Sequence, residues 1–224
     1  MNLNSPQITN SVLLSLSAPD FEMLRPHLTH VELELRKTLH RRKALIKKCY
    51  FIGSGLASVV AKHGHDSLEV GLMGCDGFTA IELVLGGDKS KHETFMQVAG
   101  HGWQISAEHL RAAIDVSRSL ERALLRFAQE FLEQATSTAF ANGTATVEQR
   151  LARWLLMAND RIKGDCVPLT HEFLSLMLGV RRSGVTVALN LLEQRGQISG
   201  ARGLIKIESR KGLVETAGGT YGPS

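Results

Sequence analysis

Two adjacent arginines, Arg181 and Arg182, lie in the stretch LGVRRSGVTVALNLLEQRG, which spans residues 178–196. They follow a Leu-Gly-Val turn signal and open a segment whose apolar residues recur with helical spacing. Gly184 lies near the start of this predicted helix, where a glycine costs up to about 1 kcal/mol relative to alanine. Two adjacent cations at the start of a helix that also contains a glycine predict that this end of the helix contacts a negatively charged partner.

The predicted helix has two contrasting faces. Its apolar residues follow the spacing i, i+3, i+4 and i+7, namely Val185, Ala188, Leu189 and Leu192. The opposite face is mostly polar and has no acidic residue. It consists of Arg182, Ser183, Thr186, Val187 and Asn190. An arginine guanidinium can donate hydrogen bonds to guanine O6 and N7, and side-chain methyl groups can contact the thymine methyl. A surface without acidic residues does not repel the DNA phosphates. This face therefore predicts a helix that enters a DNA major groove.

The elements around this helix complete a known arrangement. Thr170 can cap a shorter helix whose inward side is Phe173, Leu174, Met177 and Leu178. Gly179 supplies the turn between the two helices. A third helix is predicted upstream in VEQRLARWLLMANDRI, and a hairpin downstream in QISGARGLIKIES, where Arg202 at the tip suits phosphate. Three helices and a hairpin predict a winged helix-turn-helix, and a surface arginine pair on an ordinary helical hairpin is the alternative.

The region from about residue 31 to 105 has a β-type pattern. Short apolar runs separated by glycine-rich turns recur about every ten residues: VELEL, CYFI, LASVVAK, SLEVGLM, IELVL and TFMQVAG. Such runs predict an antiparallel sandwich or jelly roll. The preceding segment NSVLLSLSAPDFEMLRPHL is predicted to be helical, with breaks at Pro19 and Pro26.

A long helix is predicted from Ser106, its expected N-cap, to about Asn142. Four apolar residues on it step by 4, 3 and 4, namely Leu120, Leu124, Phe127 and Phe131. This spacing predicts a seam between two copies of the helix, that is, a homodimer. Alternatively, the helix packs on its own β-domain.

These segments together resemble the Crp/Fnr family of bacterial transcription regulators. The segment LTHEFLSLMLGVRRSGVTVALNLLEQRGQI is similar to the family's DNA-binding segment, and CYFIGSGLASVV with SLEVGLMGCDGFTA is similar to its sensor β-roll. The resemblance implies an α+β fold: a cyclic-nucleotide-binding-like jelly roll (1–105), a connector and dimerisation helix (106–142) and a winged helix-turn-helix (143–224). It also implies a non-enzymatic homodimer on a pseudo-palindromic operator, with half-sites about 34 Å apart, and RNA polymerase as a partner.

The chain departs from the family pattern at the expected base-reading positions. Ser183 and Val187 stand where a Glu and an Arg often read bases, whereas Arg182 keeps the preceding arginine. Arg181 stands where a serine often caps the helix. We therefore expect a different operator, with more of the contact carried by the two arginines.

The β-roll also lacks the expected signature for cyclic nucleotides. Cyclic-nucleotide-binding members use Gly-Glu for the ribose and, about ten residues later, Arg-Ser/Thr for the phosphate. Here the Gly-Glu position corresponds to Thr79-Ala80 or Ile81-Glu82, and the Arg position to His92 or Glu93. The candidates for an effector pocket are Gly77, Phe78, Thr79, Ala80, His92 and Glu93. Glu93 without an arginine would repel a buried phosphate, so we expect no cyclic nucleotide, and we expect no bound cofactor or metal.

Two other classes of function remain as alternatives. His63, His65 and Glu69 have the H-x-H-x3-E spacing of cupin metal sites, although Gly64 and Asp66 favour a turn with solvated histidines. The basic run HRRKALIKK, residues 40–48, could instead belong to a partner-binding or structural module, although such runs are usually solvated.

Composition excludes several other classes of protein. Three cysteines far apart in the sequence give neither a disulfide framework nor a C-x-x-C pair. No apolar run approaches the roughly 20 residues of a membrane span, and the N-terminus lacks a signal-peptide pattern, which predicts a cytoplasmic protein. Residues 1–142 carry 15 Lys/Arg and 15 Asp/Glu, whereas residues 143–224 carry 11 and 7. The positive excess thus lies in the predicted DNA-binding segment.

Overall fold

The computed structural model describes residues 7–64, 66–201 and 203–222. The chain divides into two compact units: residues 1–59 with 73–131, and residues 60–72 with 132–224. The domain boundaries expected from the sequence, at 105/106 and 142/143, remain a prediction.

The first unit begins with three short helical segments: α1 (Ser11–Leu14), α2 (Ala18–Leu24) and a 3-10 turn (Arg25–His27). The expected break near Pro19 lies at residues 15–17, and Pro19 itself lies in the first turn of α2. A proline fits there since the first amides of a helix need no intrahelical acceptor. Ser17 caps this helix by accepting a hydrogen bond from the Asp20 amide at 3.3 Å.

In the described part of the chain before α4, seven strands form two sheets. The strands are β1 (Thr29–Leu33), β2 (Thr38–His40), β3 (Lys48–Ile52), β4 (Leu56–His63), β5 (Asp66–Met73), β6 (Glu93–Val98) and β7 (Gly100–Ser106). One sheet has the order β1-β7-β3 and the other β2-β6-β4-β5. Gly55 has a φ of +85° in the turn between β3 and β4, and a Cβ there would lie 2.5 Å from the Val98 carbonyl oxygen. A glycine is therefore required at this turn.

One of the predicted strand runs folds differently. The run IELVL forms a short helix, α3 (Ile81–Val84), whereas TFMQVAG forms most of β6 and the first residue of β7, as a strand run should. Short apolar runs do not distinguish a strand from a helix by periodicity. Here Ile81 and Leu83 are buried, and Ala80, with a φ of 66°, starts the helical turn.

Aromatic residues form the centre of the first unit. Phe51 and Phe78 are fully buried, with ring centroids 5.4 Å apart. Phe127 lies 4.9 Å from Phe78 on its other side. Gly77 makes this packing possible, because a Cβ there would lie 2.3 Å from Phe127 Cζ.

The predicted long helix consists of two helices, α4 (Ala107–Val116) and α5 (Arg118–Thr144). Ser106 caps α4 as predicted, accepting a hydrogen bond from the His109 amide at 3.1 Å. The interruption falls at Ser117, which has an extended backbone. Its hydroxyl accepts from the Leu120 amide at 3.2 Å and donates to Asp20 Oδ1. Serine side chains compete with helical backbone bonds in this way.

The second unit contains the three predicted helices, α6 (Val147–Asn159), α7 (His171–Leu178) and α8 (Arg182–Gln194). The predicted hairpin is formed by β9 (Ile198–Ala201) and β10 (Leu204–Ile207). The connection between α6 and α7 contains β8 (Cys166–Pro168), which pairs with β10. A last helix, α9 (Arg210–Ala217), was not predicted and packs against α6.

The α+β class expected from the sequence, with a β-sheet core, a long helix and a C-terminal helix-turn-helix, is confirmed. Among the described residues, no helix combines the length and the apolar character needed to cross a lipid bilayer.

Candidate nucleic-acid interface

The turn between α7 and α8 sets the start of the candidate recognition helix. Thr170 caps α7 by accepting a hydrogen bond from the Phe173 amide at 3.3 Å. Gly179 ends α7 with a φ of 60°, a left-handed conformation that favours glycine. Arg181 then occupies the N-cap position of α8 with an extended backbone. The two helices are thus separated by a turn of three residues.

One face of α8 is buried as the spacing predicts. Val185, Ala188, Leu189 and Leu192 are between 0 and 7% exposed. This face packs against α6 and α7. Burial of an aliphatic side chain contributes about 1.5–3 kcal/mol, so this packing outweighs the low helix propensity of Gly184.

The opposite face of α8 carries the predicted DNA-binding residues together. All six are exposed: Arg181, Arg182, Ser183, Thr186, Val187 and Asn190. Val187 is 59% exposed, so its methyl groups are accessible to a partner. Arg181 and Arg182 place two positive charges at the N-terminus of α8, and no acidic residue occurs before Glu193 in this helix.

Two of the predicted contact residues also have roles within the protein. The Thr186 hydroxyl donates to the Arg182 carbonyl oxygen at 3.1 Å. Thr170 is exposed but serves as the α7 cap. His171, which the sequence reasoning missed, places Nδ1 3.5 Å from the Thr186 hydroxyl. Its position directly after the cap residue was the available signal.

The hairpin of β9 and β10 corresponds to the predicted wing. Arg202, the predicted phosphate contact at its tip, lies outside the described residues. Gly203 follows it with a φ of 83°. Ile198, Ile205 and Ile207 are buried beneath the hairpin.

The predicted seam residues are mostly occupied within their own chain. Leu120 and Leu124 are fully buried, and Phe127 is 6% exposed against Phe78. Phe131 is half-buried, with its ring 6.4 Å from that of Phe127. These contacts agree with the alternative expectation that the helix packs on its own β-domain.

The predicted effector residues divide between the core and the start of β6. Phe78 and Thr79 are fully buried, whereas His92 and Glu93 are half-buried. The Thr79 hydroxyl lies 2.8 Å from His40 Nε2 and accepts from the Tyr50 amide at 3.0 Å. Thr79 therefore has partners within the β-domain.

His40 shows that the basic run is not solvated throughout. It is 6% exposed, and burial lowers its pKa from 6.5 to about 4, although the nearby Glu82 carboxylate acts in the opposite direction. The cations that follow it, Arg41, Arg42, Lys43 and Lys47, are exposed on the loop between β2 and β3. Burial also strongly raises the pKa of the neighbouring Cys49 thiol.

The H-x-H-x3-E spacing does not form a group of clustered ligands in the part of the chain that is described. His63 is exposed at the end of β4, and His65 lies outside the described residues. Glu69 is 4% exposed and accepts a hydrogen bond from Trp154 Nε1 at 2.6 Å. No cluster of three His, Cys, Asp or Glu side chains suited to a metal occurs among residues 7–64, 66–201 and 203–222.

Comparison with known proteins gives one family match and several similar structures. Residues 149–216 match the family model of the Crp-like helix-turn-helix domain. No curated protein sequence matches the chain significantly.

The similar structures cover both units. FixK2 from Bradyrhizobium japonicum has 14% identity and a TM-score of 0.74, over 88% of this chain and 98% of that one. A CRP-family transcriptional regulator from Thermus thermophilus has 16% identity and a TM-score of 0.72, over 87% and 100%. The c-di-GMP-responsive global regulator CLP from Xanthomonas campestris has 18% identity and a TM-score of 0.67, over 85% and 99%.

These identities are low, so the similar structures establish the fold. The alternative of a metal-binding jelly-roll enzyme is not favoured, because residues 149–216 match a helix-turn-helix domain. Residues 149–216 form a Crp-like helix-turn-helix domain, and the chain as a whole has the fold of Crp/Fnr transcription regulators.

Proposed function

We propose that this protein is a sequence-specific DNA-binding transcription regulator that reads its operator with α8. The observation that carries the proposal is the exposed, acid-free face of α8 with Arg181 and Arg182 at its start. A helix presented in this way fits the major groove, where an arginine can bond a guanine bidentately. Ser183 and Val187 then face DNA where other regulators read bases, so the operator differs from theirs.

The proposed active form is a homodimer joined along α5. This helix of 27 residues leaves three large apolar side chains exposed: Leu125 (37%), Leu132 (65%) and Phe140 (65%). Leu120, Leu124 and Phe127 are buried within their own chain, so the second copy meets the opposite face. A dimer places two α8 helices on half-sites about one helical turn, or ~34 Å, apart.

Control by a cyclic nucleotide is not part of this proposal. Phe78 and Thr79 are packed in the core, and the predicted phosphate position offers His92 and Glu93 in place of an arginine. A buried phosphate beside a carboxylate is destabilised. Titration calorimetry with cyclic AMP and cyclic GMP is expected to give no heat of binding.

Selection of genomic DNA fragments by the purified protein tests the main proposal. We expect enriched fragments to share a pseudo-palindrome with half-sites one helical turn apart. Recovery of fragments without a common motif would contradict sequence-specific binding, and a single unpaired half-site would contradict the dimer. The same targets would show whether the protein activates, and so contacts RNA polymerase, or represses.

A further inference from the structure

Strand β5 contacts three separate elements of the second unit. Leu68 lies against Gly179 in the turn before α8. Glu69 accepts a hydrogen bond from Trp154 of α6, and the Leu72 amide donates one to Gln134 of α5. Residues 60–72 belong to the same compact unit as residues 132–224. The strand therefore connects the helices around the recognition helix.

The contact between Glu69 and α6 is a buried, charge-assisted hydrogen bond. Trp154 Nε1 donates to Glu69 Oε1 at 2.6 Å, and the two residues are 5% and 4% exposed. Burying a carboxylate is costly unless it is hydrogen-bonded or paired. The hydrogen bond between Glu69 and Trp154 joins β5 to α6.

The adjacent Arg153 places a positive charge near this carboxylate. Burial lowers the pKa of Arg153, and the charge of Glu69 partly offsets this. Arg153 also donates to the Thr138 hydroxyl at 3.1 Å and to the Thr220 carbonyl oxygen at 2.8 Å. Glu69 therefore belongs to a buried polar network that includes α5, α6 and the segment after α9.

Gln134 binds β5 as a neighbouring strand would. Its side-chain amide accepts from the Leu72 N–H at 2.6 Å and donates to the Leu72 carbonyl oxygen at 3.0 Å. Both polar main-chain groups of Leu72 are satisfied by one side chain of α5. The position of β5 along α5 is thus defined at a single residue.

The third contact reaches the recognition helix directly. A Cβ at Gly179 would lie 2.8 Å from Leu68 Cδ1, so the side chain of Leu68 rests on the backbone of this turn. Glu69 and Trp154 also line a small cavity together with Met177 and Leu178 of α7. A shift of β5 would therefore act on α7 and on the turn that precedes Arg181.

We propose that Glu69 and Gln134 are positioning residues for DNA recognition: they fix β5 to α6 and α5, and β5 thereby holds the α7–α8 turn that orients the recognition helix. This inference rests on the proposed function, since it assigns a structural cause to the orientation of α8. It also gives Glu69 a role other than that of a metal ligand.

Hydrogen exchange of the DNA-free protein tests the positioning itself. Glu69→Ala is expected to raise amide exchange in residues 171–182 about tenfold, because Trp154 loses its acceptor. Glu69→Gln keeps an acceptor oxygen, so its exchange should stay within about twofold of wild type. Asp66→Ala, which removes an exposed carboxylate from the same strand, is the matched control.

Operator affinity is measured on the same variants. We expect Glu69→Ala to weaken binding about tenfold, and Glu69→Gln and Asp66→Ala to bind like wild type. A purely structural role would raise exchange uniformly in α6 and α9 and leave the affinity of the folded fraction unchanged, which would overturn the proposal.

Trp154→Phe and Gln134→Ala provide a second route if Glu69→Ala does not fold. Trp154→Phe keeps an aromatic ring but removes the donor, and both variants should raise exchange in residues 171–182. Wild-type exchange in both would refute the positioning role. A wild-type protein that selects no DNA would refute the proposed function alone, because the exchange measurement needs no DNA.

Discussion

At the scale of single residues, Arg182 combines exposure with the position best suited to reading a base. It is the first residue of α8, and its backbone carbonyl is bonded to Thr186, which holds the first turn in place. The residue is exposed, on a face of the helix without acidic residues. A bidentate contact with guanine contributes about 1–3 kcal/mol of discrimination.

Substitution of Arg182 by alanine should therefore relax specificity more than it weakens general DNA binding. We expect the cognate operator to be bound about 10- to 100-fold less tightly, with binding to an operator mutated at the contacted base nearly unchanged. Fluorescence anisotropy on both duplexes at one salt concentration measures this. Lys211→Ala, on the exposed face of α9, is the control. An equal loss on every duplex would make Arg182 a phosphate contact.

His40 makes stability depend on pH. Its pKa in the folded protein is about 4, below its ordinary value of 6.5, because burial disfavours the charged form. The unfolded chain therefore takes up the proton first as the pH falls. The contribution of neutral His40 is complete above pH 6.5 and is lost progressively towards pH 4.

We expect the free energy of unfolding to decrease between pH 6.5 and 4.5 by more in the wild type than in His40→Gln. The difference should be at most about 3 kcal/mol. Urea unfolding at several pH values measures it, with the exposed His63→Gln as a control that retains the wild-type dependence. Parallel curves for His40→Gln and wild type would contradict this assignment.

At the scale of elements, α8 shows how a helix can accept a glycine at a functional edge. A Cβ at Gly184 would lie 3.8 Å from Val180, which is an ordinary contact, so no neighbouring atom requires the glycine. The buried face of the helix supplies its stability. The glycine is then best explained by what approaches the exposed side of the helix.

Gly184→Ala should consequently stabilise the folded protein by up to about 1 kcal/mol, since alanine favours the helix. If DNA approaches the backbone closely at this point, the same change should weaken operator binding. Thermal unfolding and operator titration together measure the two effects. A variant that is more stable and binds equally well would show that the glycine has no part in DNA contact.

At the scale of the whole molecule, the two faces of α5 have different roles. Leu124 is fully buried against its own chain, whereas Leu132 is 65% exposed. A charge at Leu124 must be buried, which costs several kcal/mol, but a charge at Leu132 is solvated in the monomer. These positions therefore separate folding from assembly.

We expect Leu132→Glu to give folded monomers that no longer bind the operator tightly, and Leu124→Glu to lower the melting temperature strongly. Sedimentation velocity and thermal unfolding distinguish the two outcomes. An unchanged dimer of Leu132→Glu would contradict the proposed interface along the exposed face.

The sequence by itself determined the features that depend on local spacing. The two faces of α8, the caps at Ser106 and Thr170, and the turn at Gly179 follow from helical periodicity and from backbone preferences that operate over a few residues. The order of a β-rich region, a long helical region and a helix-turn-helix followed from the same patterns.

Only the tertiary structure decided which of several possible surfaces each apolar or polar residue meets. The spacing of Leu120, Leu124 and Phe127 predicted a partner helix, whereas in the structure these side chains are buried within their own chain, where Phe127 packs against Phe78. The carboxylate of Glu69 found its donor in Trp154, 85 residues away. Such contacts depend on the packing of distant elements, and spacing along the chain carries no information about them.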